Sequence, residues 1–172
     1  LLRTLPAVRW LGTAKMIGSI ATAGALGLYL VSREWDQFAA QASTLVTWRG
    51  AITLAAVLFL VKIIHELAHA FVATSYGCRV PTIGIAVMMG APMLYADVTD
   101  AWRLTDRRQR LRIDAAGIAA EIALACIATL FWALLADGTL KWVMLILATV
   151  SWTMSIFINL NPLMRFDGYH IL

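Results

Sequence analysis

The stretch AITLAAVLFLVKIIHELAHAFVATSY, Ala51 to Tyr76, decides how the rest of the chain is read. It is long and apolar enough to cross a bilayer as one helix, which takes roughly 20 residues. Yet its second half carries Lys62, His65, Glu66 and His69. Ionisable groups inside a span are costly, and they are kept where they do something. On a helix, residues i and i+4 lie one above the other, so His65 and His69 offer their rings to a single point, with Glu66 beside it. This is the arrangement of zinc hydrolases: two histidine ligands, and a glutamate that acts as general base toward a zinc-bound water.

The surrounding chain fits a membrane setting. Of its 172 residues, 61% are hydrophobic and 14% charged, more apolar surface than a soluble domain of this length can hide. Three further apolar segments stand out: Met16 to Val31, Ile113 to Ala136 (interrupted by Asp114 and Glu121) and Leu140 to Leu160. The expected fold is an all-α polytopic membrane protein with about four transmembrane helices. Trp10, Trp35, Trp48, Trp102 and Trp142 fall near span ends, where indoles prefer to sit.

Between the second and third spans runs PTIGIAVMMGAPMLYADVTDAW. Its apolar part, Pro81 to Leu94, is too short to cross as a helix, and its glycines and prolines would break one. It reads as a re-entrant, strand-like hairpin turning near Gly90-Ala91-Pro92. Bare strand edges are not tolerated against lipid, so the hairpin should lie against protein or a wet cavity. The basic stretch AWRLTDRRQRLR follows and suits a headgroup surface.

The charges set a topology. The N-terminal tail, the Gly77 to Arg112 connection and the C-terminal tail share one side and hold most of the arginines and lysines. That side is expected to be cytoplasmic, with both ends inside. The net charge of +4 comes from residues flanking apolar runs, which speaks for membrane lipid as partner and against nucleic acid. Cys78 and Cys126 lie far apart and form neither a disulfide framework nor a cysteine zinc cluster. The chain starts at Leu1 and stops at Leu172, and it reads as part of a longer protein. Residues 1–50 are expected to form a tail and first span, and residues 51–172 the core.

Catalytic zinc takes a third protein ligand and leaves a position open. The remaining candidates are His170 and the carboxylates Asp114, Glu121 and Asp167. INLNPLMRFDGYHIL, Ile158 to Leu172, favours Asp167. The second and fourth spans cross in the same direction, so the histidine motif and Asp167 both come to the cytoplasmic side. Pro162 stops the helix, and Gly168 lets the backbone turn. Two neutral histidines and one aspartate leave a zinc site at +1, and an ionised Glu66 brings it to zero, which suits a low-dielectric setting. His170 is read as interfacial, since a fourth ligand would close the site. Lys62 is read foremost as a structural ion pair or a snorkelling lysine. Glu121 is either a partner of a ligand histidine or a lock between helices. Gly117 allows close helix packing.

HELAH within a span, followed much later by NPLMRFDG, resembles the site-2 protease family of intramembrane zinc metalloproteases. The resemblance covers roughly Ala51 to Leu172. It implies an endopeptidase acting on membrane-embedded or membrane-adjacent peptides, with one zinc on His65, His69 and Asp167 and Glu66 as base. Asn161 matches the family residue that helps position the substrate strand. A re-entrant strand element after the histidine helix is also implied. DVTDAWRL, AAGIAAE and FDGY resemble a bacterial branch found with peptide-secretion or membrane-fusion components, which implies the bacterial inner membrane. Glu121 departs from the family pattern, where many members have a small or amide residue. The rival expectations are a non-proteolytic zinc-containing subunit assisting peptide export or assembly, and a divalent-metal transporter. The transporter would need a second ligand cluster on another span.

Overall fold

The computed structural model describes residues 13–88, 91–161 and Asp167. Helix α1 (Ala14–Arg33) is capped by the Thr13 hydroxyl, which accepts from the Met16 N–H. A short helix α2 (Trp35–Ser43) and a 3-10 turn (Thr44–Val46) lead into α3 (Trp48–Ser75). Thr47 caps α3 by accepting from Gly50 N–H at 3.1 Å. Strands β1 (Ile83–Met88) and β2 (Ala91–Ala96) then form a two-stranded antiparallel sheet. A 3-10 turn (Thr99–Arg103) is followed by α4 (Arg107–Asp114), α5 (Ala116–Leu134) and α6 (Thr139–Thr153). Helix α6 widens into a π-helical stretch over Met154–Asn159.

Four helices are long and apolar enough to cross a membrane: α1, α3, α5, and α6 with its π extension. The fold is mostly helical, as expected. Helix α5 is the most enclosed of the four and packs against each of the others. Val57 and Val61 of α3 close on Ile146 and Val150 of α6. Val31, Trp132 and Leu145 join α1, α5 and α6. At Gly27 of α1 a side chain has no room, since a Cβ there would stand 2.7 Å from the backbone nitrogen of Leu130. Trp35, Trp48 and Trp102 are exposed, as interfacial indoles would be.

Two boundaries differ from the sequence reading. Ile113 and Asp114 belong to α4, and the helix is interrupted at Ala115 before α5 begins. The change of composition explains this: RRQRLRID is too polar to continue into lipid, whereas AGIAAEIALACIATLFWAL is not. Ala91 and Pro92 lie within β2 and not in the turn, because Met88 stands opposite Ala91. The turn falls at residues 89–90, outside the described residues. The sheet tolerates Pro92 for a reason of register. Asp97 N–H donates to Thr82 O at 2.9 Å, which sets the alternation of the ladder. Pro92, opposite Val87, then falls where a backbone N–H would face away from β1, so no ladder bond is lost.

Helix α2 was not anticipated, being short and weakly patterned. It lies over the loop end of α5 and α6: Trp132 Nε1 donates to Gln41 Oε1 at 2.9 Å. Beside it Lys141 is buried, 3.2 Å from Asp137 and over the Trp132 ring.

Candidate metal centre

The second half of α3 supplies two ligand candidates. His65 and His69 are one turn apart and buried. Each ring is held by its Nδ1. His69 Nδ1 donates to the backbone carbonyl of Ile113, at the end of α4, at 2.7 Å. His65 Nδ1 faces Oε1 of Glu121 on α5 at 2.8 Å, somewhat off hydrogen-bond alignment. Both partners can only accept, so they assign the proton to Nδ1 and leave a lone pair on each Nε2.

The two Nε2 atoms stand 3.1 Å apart. Asp167 Oδ2 lies 3.0 Å from the first and 3.3 Å from the second. This oxygen is buried and makes no aligned hydrogen bond. Burial alone would push the Asp167 carboxyl up, but the two facing rings outweigh it and hold it below the usual carboxylate range. Three lone-pair donors thus converge with no hydrogen between them, an arrangement that repels itself unless a cation sits among them. The spacing suits a small one: ligand atoms about 2.1 Å from a tetrahedral zinc stand roughly 3.4 Å apart. The donor set of two nitrogens and a carboxylate oxygen also fits zinc.

Gly117 of α5 makes room for both rings. A Cβ there would stand 2.5 Å from Nε2 of His65 and of His69, and closer still to His65 Cε1. The close packing read from this glycine is therefore directed at the histidines themselves.

Glu66 faces a cavity of about 710 Å³, together with His69, Tyr95, Ala96, Arg110 and Asp167. Its Oε2 accepts from the Ala96 N–H at 3.0 Å, tying the outer edge of β2 to α3. The hairpin therefore lies against protein and a polar cavity, as expected of a strand pair at membrane depth. The cavity wall continues through Asp97 to Ala101. Thr99 donates to Asp97 through its hydroxyl and its backbone N–H, which lowers the Asp97 carboxyl. Asp100 is lowered first by the backbone N–H of Arg79 and then by the Arg103 guanidinium. Both carboxylates stiffen the exit of the hairpin.

The structure thus brings His65, His69 and Asp167 together, with Glu66 on the same cavity. Asn161 follows the π-helical stretch, half-buried, with its N–H on Ile158 O at 3.3 Å. Asp114 lines the cavity, away from the three converging atoms. Lys62 lies 3.8 Å from Glu121 Oε1, an ion pair of the structural kind. Pro162, Gly168 and His170 lie outside the described residues. Two residues that sequence reading missed complete the surroundings: Ser155 and Asn159 both donate to Glu121 Oε2, at 3.0 and 2.7 Å. Their signal was the four-residue spacing of Ser151, Ser155 and Asn159 in an otherwise apolar run.

The model of peptidase family M50 matches residues 53–139, half of the chain. The chain belongs to peptidase family M50. The matched residues span α3, the hairpin and α5, and so include His65, Glu66, His69, Gly117 and Glu121. Asn161 and Asp167 lie beyond the match, and Asp167 enters the site through the geometry alone. No curated protein and no solved structure matches the chain. As an M50 peptidase the protein is a metallopeptidase of a zinc-dependent membrane family, in keeping with its four apolar helices.

Proposed function

We propose that this M50 peptidase is an intramembrane zinc endopeptidase that hydrolyses peptide bonds of membrane-embedded or membrane-adjacent substrates. The observation that carries this reading is the convergence of His65 Nε2, His69 Nε2 and Asp167 Oδ2 within 3.0–3.3 Å, at a cavity that also exposes Glu66. These three residues would hold the metal. Zinc there supplies Lewis-acid polarisation of a carbonyl and makes water acidic near neutral pH.

The chain's own groups account for the rest. Glu66 takes a proton from the attacking water and passes it to the leaving amine nitrogen, as the C–O bond forms and the C–N bond breaks. Its Oε2 is anchored by the Ala96 N–H, which leaves Oε1 to carry the proton. A helical peptide bond is shielded by its own backbone, so the substrate must enter extended. The outer edge of β2 suits this role: at Leu94 the N–H and C=O face away from β1, toward the side where Glu66 holds the strand. Asn161 would help position that strand. The basic residues of α4 and the tails support a cytoplasmic site.

The test is metal content and cleavage by purified wild type and Glu66→Gln, side by side, on a panel of single-span and leader peptides in membranes. The expected result is about one zinc in each protein and cleavage by wild type alone. Cleavage by Glu66→Gln near the wild-type rate would remove Glu66 as base. If both hold zinc, neither cleaves, and physiological output survives the substitution, the site is structural and an export or assembly subunit is the better reading.

A further inference from the structure

Beyond the ligands and the base, one ionisable group is buried more deeply than any of them. Glu121 is fully buried in the middle of an apolar helix. A lone carboxylate there would be too costly to keep ionised, so what surrounds it defines its use. Oε2 accepts two hydrogen bonds, from Ser155 Oγ at 3.0 Å and Asn159 Nδ2 at 2.7 Å. Oε1 points the other way, at His65 Nδ1, with Lys62 Nζ 3.8 Å off as counter-charge. One carboxylate thus joins α3, α5 and the π-helical end of α6.

The comparison between the two histidines separates a positioning role from that of a mere lock. His69 has its Nδ1 fixed by a backbone carbonyl, that of Ile113. For His65 the corresponding place is taken by Glu121. A lock between α5 and α6 would need only an acceptor for Ser155 and Asn159, and an amide or hydroxyl would serve. The second oxygen, aimed at the ring and paired with a cation, is what only a carboxylate provides. Such a partner fixes the tautomer and the ring plane and strengthens the opposite nitrogen as a ligand.

We propose that Glu121 is a positioning residue for His65, holding its Nε2 toward His69 and Asp167, and that Ser155 and Asn159 hold Glu121 in that pose. This rests on the reading of His65, His69 and Asp167 as a metal site. Glu121→Gln keeps the shape but carries one acceptor and one donor. If its oxygen serves His65, its NH2 meets the NH2 of Asn159, donor against donor. Adding Asn159→Asp restores the match, because the new carboxylate accepts from the glutamine.

The experiment measures zinc affinity by chelator competition on purified wild type, Glu121→Gln, the double variant Glu121→Gln/Asn159→Asp, and His65→Ala. It also takes the visible spectrum of each protein loaded with Co²⁺, and the thermal stability of each in detergent. Glu121→Gln is expected to bind zinc about 10- to 100-fold more weakly, with the same stoichiometry at saturation and a shifted cobalt spectrum. The double variant should regain most of the affinity and the spectrum. Should Glu121→Gln prove unstable, Ser155→Ala removes one of the two supports and is expected to weaken zinc binding several-fold. Native affinity and spectrum in Glu121→Gln, with only the melting temperature lowered, would overturn the proposal and leave a helix lock. If His65→Ala also binds zinc as wild type does, it is the metal-site reading itself that fails.

Discussion

Gly117→Ala is the smallest change that should dismantle the centre. The new methyl would sit 2.5 Å from Nε2 of both histidines. Carbon and nitrogen rest comfortably at about 3.5 Å, so roughly 1 Å must be found by moving a ring or α5 itself. Metal sites tolerate ligand displacements of only about 0.2 Å. One ring must therefore leave its place, and zinc affinity should fall at least about 100-fold. Cleavage should fall with it, by about 100-fold or more, since a 1 Å misplacement can cost that much on its own. The fold should survive. Overpacking costs about 1–3 kcal/mol, and the better helix propensity of alanine returns up to about 1 kcal/mol. The assay is zinc competition against a chelator on detergent-solubilised protein, with thermal unfolding measured on the same samples. Gly18→Ala on α1 is the control, because a Cβ there meets nothing within 4 Å. Zinc binding by Gly117→Ala at the control's affinity, in a folded protein, would refute the placement of the two rings.

Leu94→Pro tests the substrate edge without breaking the hairpin. Its N–H faces away from β1, as the position of Pro92 does, so the ladder should hold while the outward donor is lost. Cleavage efficiency should drop roughly tenfold with zinc content unchanged; unchanged cleavage would count against capture along β2. Asp100→Asn addresses the hairpin exit. The native carboxyl lies below its ordinary value, held by Arg79 N–H and Arg103, so its contribution is whole above about pH 4 and disappears as pH falls through the lower native value. Protease nicking between Cys78 and Arg103 should therefore be faster in Asp100→Asn than in wild type at neutral pH, and the two should converge in acid. Equal nicking at pH 7 would show that Asp100 does not brace this connection.

The histidine pair and Glu66 were legible because the helical period alone brings His65 and His69 to one point. Asp167 was reached through span direction, since two motifs at the C-terminal ends of codirectional helices share a side. The hairpin was legible from its glycines, prolines and shortness. Its turn was misplaced because a proline reads as a strand breaker, and only the register shows that Pro92 loses no bond. Ile113 could not have been found as a partner of His69, since any residue carries a carbonyl. Ser155 and Asn159 escaped because the widened helical turns that aim them inward leave no clear mark in the sequence. Glu121 was left between two roles, and only the opposite aims of its two oxygens show that it touches both a histidine and the neighbouring span.

The π-helical stretch also says something about how this chain can be altered. In an α-helix each residue advances about 1.5 Å and turns about 100°. A wide turn absorbs an extra residue and shifts the phase of everything after it. Deleting one residue between Met154 and Asn159 would hardly shorten the span, yet it would swing the following chain by about a quarter of a circle. In this part of the protein, spelling is negotiable and counting is not: one side chain may be exchanged for another of similar size, but a gap or an insertion would turn the last segment to face the wrong way.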